Sequence, residues 1–446
     1  MENGMRRSLV ERVLAPIADV RREEAASALL MTLLIFLLLA AYYLMKTGRE
    51  ILILTEGGAA VKSYSSAGQA VLLLFVVPAY GAFASRVTPV RLVTFVTLFF
   101  ALHLALFAFA VAAGFKVGIL YFLWVGIFNL MVIAQFWAFA SDVYTEEQGR
   151  RLFPLIGVGG SLGAWIGSLR AGAIVSDAGP VVLFRNACVI LVVCAALVPL
   201  IYRLTPRRTS TTQAPSDEPI GRGDGFAMIR ADRYLALIAI FTLLLNVVNT
   251  TGEYLFGRYI VEQSQALYAG GGADAVAARE RFVGETYSQF YSTVNLVGFL
   301  LQMFVVSRLF KWLGVARSLV VHPVVAMLGY LLMLRAPSLA TMSFVKVADN
   351  SINYSLSNTT RQALWLPTSR EAKYKAKQAV DSFVVRAGDV ASAGLVFAGE
   401  SMAFSVSAFA GVNLLLAGAW LGVVGLLTAV QARRPATASQ PGAGTA

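Results

Sequence analysis

The sequence predicts an all-α integral membrane protein of twelve transmembrane helices, arranged as two pseudo-symmetric bundles of six. Three observations predict it. Apolar residues make up 57% of the 446 residues and charged residues only 14%, with a mean hydropathy of +0.68. Apolar runs of the roughly 20 residues that a bilayer core demands recur along the whole chain. One polar stretch, "RLTPRRTSTTQAPSDEPIGRGDG" at 203–225, is rich in Pro, Ser, Thr and Arg and divides those runs six and six. Helices are the form they must take, because an open sheet edge in lipid leaves backbone groups unpaired.

The elements follow in order. Residues 1–24 read as a cytoplasmic tail, not a cleavable signal, since Arg6, Arg7, Arg12, Arg21 and Arg22 are mixed with acidic neighbours. The first bundle, 25–202, holds spans at 25–46 (with a continuation to 54), 65–85, 90–113, 117–141, 153–175 and 181–202. A cytoplasmic linker at 203–232 leads to the second bundle, 233–431, with spans at 233–257, 286–309, 315–335, 338–360, 376–399 and 402–431. Residues 432–446 form a second cytoplasmic tail. The insert around 259–285, which contains Gly270-Gly271-Gly272 and then a charged helical run, should face the outside.

The net charge of +12 raises the question of nucleic acid, and its distribution answers it. Arg86 and Arg91, Arg150 and Arg151, Arg308 and Lys311, and Lys373, Lys375 and Lys377 all fall in connections on one side of the membrane, with both tails and the linker. That is the positive-inside bias, which puts both termini in the cytoplasm of a bacterial inner membrane. No nucleic-acid partner is expected.

The halves echo one another. "SRVTPVRLV" (85–93) resembles "SRLFKWLGVARSLV" (307–320), Thr47-Gly48 matches Thr251-Gly252, and His103 matches His322. Two related bundles about an axis along the membrane normal are the major-facilitator architecture, in which spans one, four, seven and ten line a central cavity.

An ionisable group at mid-membrane costs at least ~2.5–3.5 kcal/mol, so its position is informative. Here such groups fall mainly on those spans. Span one carries Lys46, Arg49 and Glu50; span four Gln135 and Asp142; span seven Asn246, Asn249, Glu253 and Arg258; span ten Lys346, Asp349, Asn350, Asn353 and Asn358. Span eleven adds Asp381, Arg386 and Asp389. The spacing of Lys46 to Glu50, Lys346 to Asn350 and Arg386 to Asp389 lets each pair meet on one helix face.

Other features read as structural. His103 and His322 lie on peripheral spans. Cys188 and Cys194 share one span and suit core cysteines. Gly159, Gly163 and Gly167 in "GVGGSLGAWIG" repeat every fourth residue, a packing seam. No phosphate-loop, metal-ligand or nucleophile constellation occurs, so no cofactor, metal or enzymatic activity is expected.

Four blocks carry a family resemblance: "LMKTGREILILT" (44–55), "IAQFWAFASDVYTEEQGRRLFPLIGVGGSLGAWIGS" (133–168), "NVVNTTGEYLFGRYIVE" (246–262) and "NYSLSNTTRQALWLPTSREAKYKAKQAVD" (353–381). In this order they resemble the non-mitochondrial ATP/ADP translocases of plastids and intracellular bacteria. The chain departs from that pattern at Gln135 and Gln362, where the family has Glu, at Asn358, where it has Asp, and at Arg49, where it has Lys. The resemblance implies a carrier exchanging a nucleotide or related phosphorylated anion by alternating access, and a monomer is expected. It implies that Lys46 and Arg49 hold phosphate, with Gln135, Glu253, Lys346, Asn350, Asn353 and Arg386 completing the substrate site. Glu253 would balance the cations when no substrate is bound, and Glu50, Asp142, Asp349, Asp381 and Asp389 would serve as gating or charge-pair residues. Lys373, Lys375 and Lys377 would attract the anion at the cytoplasmic mouth or bind anionic lipid. Two other readings stay open: a proton-coupled carrier of a different solute, with Glu253 or Asp142 titrating, and a non-transporting membrane sensor or scaffold.

Overall fold

Apolar periodicity and length dictate where the helices lie, and the polar residues between them set their ends. The computed structural model describes residues 20–21, 23–84, 86–205, 225–369 and 371–433. Most of the N-terminal tail, the centre of the linker and nearly all of the C-terminal tail lie outside the described residues. Every regular element among the described residues is a helix.

The first six are α1 Ala25–Glu56, α2 Gly58–Ala84, α3 Pro89–Ala112, α4 Gly118–Val143, α5 Glu146–Ala178 and α6 Pro180–Leu204. After a short turn of helix at Gly225–Ala231 come α7 Arg233–Leu267 and α8 Ala273–Leu300. The latter continues through a π-turn at Leu301–Val305 into Val306–Ser318. Then follow α9 Val321–Arg335 and α10 Leu339–Ile352, which runs on through a π-turn at Asn353–Ser357 to Asn358–Ala363. A π-turn at Ala372–Ala376 opens α11, Lys377–Ser401, and α12 is Val406–Arg433.

Ten of these are long and apolar enough to cross a membrane, and α9 is a shorter apolar helix. The tenth span falls short of that composition because its core holds Lys346, Asp349 and Asn350, all of them buried. The boundaries also differ from the apolar runs. Span two begins at Gly58, seven residues before its run at 65, and so brings Lys62 into the helix. Helices α7 and α8 together take in most of the insert expected between 257 and 286.

Side chains close the helix ends. Thr145 caps α5 reciprocally with Gln148: the Gln148 N–H donates to Thr145 Oγ1 at 3.3 Å and the Thr145 N–H to Gln148 Oε1 at 2.9 Å. Glu56, at the end of α1, accepts from the Gly118 N–H at the start of α4 (2.7 Å), where a carboxylate suits the positive end of the helix. Pro89 and Pro180 sit in the first turns of α3 and α6, where a missing N–H costs nothing.

The chain divides into two compact units. The first comprises Met1–Gln213 with Gly257–Leu296, the second Ala214–Phe256 with Val297–Ala446.

In the first unit α1 is the hub, packed on α5, α6 and α4. The glycine repeat forms its seam with α5. A β-carbon at Gly159 would stand 2.8 Å from the Thr32 carbonyl oxygen, one at Gly167 would stand 2.6 Å from Ala40 Cα, and one at Gly163 would overlap the Phe36 carbonyl. Both partners repeat every four residues, so the two backbones touch along consecutive turns. Phe100, Phe107, Tyr121, Trp124 and Phe128 make a continuous edge-to-face and stacked cluster between α3 and α4. The α8 portion of this unit is tied in by hydrogen bonds: Asn295 donates to Ser168 Oγ at 3.2 Å and accepts from the Tyr43 hydroxyl at 2.8 Å.

In the second unit α9 packs on α12 and α10. The fully buried Trp420 of α12 meets Phe241 of α7 and the His322 ring of α9. Gly252 lets α7 approach the Tyr330 hydroxyl and Lys346, and Tyr330 in turn donates to the Val248 carbonyl (3.1 Å).

Candidate functional site

Each unit holds a buried polar constellation among its described residues. In the first, the charged stretch of α1 provides three side chains. Glu50 is wholly buried, which a carboxylate tolerates only with charged donors around it. It has them. Lys62 Nζ, from α2, stands 2.6 Å from Oε2. Arg49 places Nη2 at 2.5 Å and Nε at 3.2 Å from Oε1, and the Tyr291 hydroxyl donates to the same oxygen at 3.0 Å.

Aromatic rings wall this group. Lys46 Nζ lies 4.1 Å from the centre of the Tyr291 ring and 5.2 Å from that of Tyr43. The Arg49 guanidinium lies over Phe122 of α4 at 4.6 Å, and Lys62 lies 5.0 Å from the Tyr287 ring centre. Rings at these distances stabilise cations while keeping them out of bulk water. Arg49 turns one edge to Glu50, while its Nη1 makes no hydrogen bond among the described residues.

The second unit's constellation joins α7, α9 and α10. Asp349 accepts from Lys346 Nζ at 2.7 Å on one oxygen and from His322 Nε2 at 2.9 Å on the other. Lys346 also reaches Asn249 Oδ1 at 3.3 Å. His322 Nδ1 lies 2.6 Å from the hydroxyl of Ser357, in the π-turn of α10. Alongside, Asn350 donates to Glu253 at 3.2 Å.

The residues singled out in the sequence therefore fall into separate places. Lys46, Arg49 and Glu50 share the first constellation; Lys346, Asp349, Asn350 and Glu253 share the second. Arg386 pairs with Asp389 at 3.2 Å, and Asp389 also accepts from Asn246 at 2.8 Å. Gln135 is buried on α4. Asp142 and Asp381 are exposed. Asn353 is half-buried in its π-turn and makes no side-chain hydrogen bond among the described residues. Lys373 is exposed, Lys375 is held by Glu371 at 2.7 Å, and Lys377 is half-buried. Arg258 pairs with Glu262 at 2.8 Å.

Sequence reasoning missed Lys62, Phe122, Tyr287, Tyr291 and Ser357, and read His322 as structural. Lys62 stands before the apolar run of its span, and only the small, helix-compatible residues around it, "GAAVKSYSSAG", hint that the helix starts earlier. Tyr287 and Tyr291 are four apart and so share a helix face. His103, the other histidine, is half-buried and its Nδ1 lies 2.8 Å from the Phe99 carbonyl.

Comparison with known proteins gives the fold. No family model matches the chain, and no curated protein matches it in sequence. Among solved structures, the nucleoside transporter NupG is similar with a TM-score of 0.60 at 14% identity, covering 92% of this chain and 100% of that one. A bacterial homologue of the iron transporter ferroportin, in an inward-facing state, gives 0.62 at 12% identity over 90% and 98%. The POT family transporter PepTSo gives 0.58 at 14% over 90% and 97%. The chain has the major-facilitator fold. Within a major-facilitator chain, the first constellation lies on spans one, two, four and eight, and the second on spans seven, nine and ten. The resemblance to ATP/ADP translocases finds no counterpart among these matches.

Proposed function

We propose that this chain is a secondary transporter that exchanges a nucleotide, or a related phosphorylated anion, across a bacterial inner membrane by alternating access. The observation that carries the reading is the α1–α2 cation cluster. Arg49 keeps a donor edge beyond its bonds to Glu50, Lys62 shares that carboxylate, and Lys46 stands over tyrosine rings. Phosphate oxygens fit such donors, because charge-assisted bonds to guanidinium and ammonium are the strong ones. The similarity of fold to a nucleoside transporter supports a substrate of this size. In this reading both termini are cytoplasmic, the carrier is monomeric, and Lys373 and Lys377 draw anions or anionic lipid headgroups to the start of α11.

Purified protein in liposomes tests it. Uptake of labelled ATP should be stimulated severalfold by unlabelled ADP inside the vesicles. Absence of nucleotide flux, with flux of another solute intact, would overturn the substrate assignment.

A further inference from the structure

The second constellation has the make-up of a proton site. We propose that His322 binds the proton of a proton-coupled transport cycle, with Asp349 and Lys346 setting its charge balance. This rests on the carrier reading above but not on the substrate being a nucleotide.

In the proposed starting state His322 is neutral. A carboxylate only accepts, so His322 Nε2, at 2.9 Å from Asp349 Oδ1, carries a hydrogen. With Lys346 at 2.7 Å on the other oxygen, Asp349 and Lys346 are ionised and cancel, and the neutral imidazole leaves the group without net charge. Its Nδ1 then accepts from the Ser357 hydroxyl, 2.6 Å away. Adding a proton needs one small change. The proton enters on Nδ1, the Ser357 hydroxyl rotates from donor to acceptor, and Nε2–H stays on Asp349. No helix has to move for the proton to bind.

The protonated group then carries one positive charge in a place that disfavours it. The side chains of His322, Asp349 and Lys346 are 3%, 5% and 1% exposed. From α10, Asp349 holds the ring and Lys346 holds Asp349's other oxygen; the π-turn contributes the uncharged Ser357. On α12, the ring's neighbour is Trp420, 4.8 Å between centroids, and the helix has no charged residue before Arg433. On α9 itself the next titratable group is Tyr330, whose hydroxyl is committed to the Val248 carbonyl. On α7, Asn249 binds Lys346, and Glu253 is reached through Asn350. A buried charge with so little room to relax is expensive to hold. Proton binding therefore favours whichever arrangement of the carrier rehydrates or re-pairs this group, which is the requirement for coupling.

Trp420 supplies a reporter, since a protonated imidazole quenches an adjacent indole and a neutral one does so far less. Tryptophan emission of the full-length protein in detergent is measured from pH 5 to 8.5. The expected result is an acid-quenched component in the native protein that disappears in both Trp420→Phe and His322→Gln. In liposomes loaded with a pH-sensitive dye, solute uptake should move protons in the native protein and not in His322→Gln. A pH transition that persists unchanged in His322→Gln, or the absence of any Trp420-dependent transition, overturns the proposal. So does solute flux that no imposed pH gradient alters. The emission titration needs no substrate. A transition found with no nucleotide flux therefore sinks the nucleotide reading and leaves the proton site standing.

Discussion

Lys62 and Glu50 meet at 2.6 Å between neighbouring helices, with the carboxylate wholly buried and the ammonium nearly so. Removing Lys62 takes the cation from Glu50 Oε2, while Arg49 and Tyr291 still hold Oε1. Lys62→Met should lower stability by roughly 1–3 kcal/mol, read as a fall in thermal unfolding temperature in detergent. The double change Lys62→Met with Glu50→Gln should recover most of that loss. If the double variant is no more stable than the single one, the pair is not what holds α1 to α2.

Arg49 separates binding from folding. Arg49→Ala keeps the Glu50–Lys62 bridge and should leave membrane insertion intact while reducing exchange at least about tenfold, as expected for the loss of charge-assisted bonds to a phosphate. Arg49→Lys keeps the charge but not the planar fork and should retain partial activity. Uptake kinetics alongside quantified membrane protein distinguish these outcomes. Normal exchange in Arg49→Ala would remove Arg49 from the substrate site.

The glycine seam yields a folding test. Gly163 has no room for a side chain against the Phe36 carbonyl, so Gly163→Leu must push α1 and α5 apart. Folded yield should collapse, whereas Gly157→Ala, where a β-carbon meets nothing within 4 Å, should be neutral. Size-exclusion profiles of the two variants provide the comparison.

The N-terminal end of α1 carries a pH-sensitive tie. Burial raises the Glu24 pKa, but hydrogen bonds from Arg151 and Gln148 more than offset it and hold it below the ordinary carboxylate value. A lowered folded-state pKa means stability present above the unfolded value and lost as pH falls through the folded one. Arg151→Ala should therefore destabilise the protein by about 1–3 kcal/mol near pH 7, and the gap from the native protein should shrink as the pH drops below 4. Thermal unfolding at pH 7 and at low pH checks the sign.

The span count was legible because twenty-odd apolar residues have few other uses. The cations of α1 were legible for the complementary reason, that charges in such a run need a purpose. Lys62 was not, since a lysine at the edge of an apolar run looks like any interfacial anchor until the helix start is known. His322 was obscured differently. Its span counts as peripheral in this architecture, and the partners that give it meaning lie far off in sequence, on a helix whose register is altered by a π-turn at Asn353–Ser357. The pairing of Arg386 with Asp389 could be read from spacing, whereas Lys346 and Asn350, expected to meet, bind Asp349 and Glu253 instead. Pairings that cross helices depend on rotations that no local pattern encodes.

Helix α7 has 35 residues, roughly 52 Å at 1.5 Å per residue, against about 40–45 Å for a bilayer with its headgroups. The turn that joins it to α8, at 268–272 with three consecutive glycines, is exposed throughout, and the helix is long enough to carry it clear of the headgroups. It is a natural place to insert an epitope or seat an antibody fragment. Such a grip would add recognisable mass to a particle otherwise hidden in a detergent belt, and labelling it in whole cells would reveal which way up the protein sits.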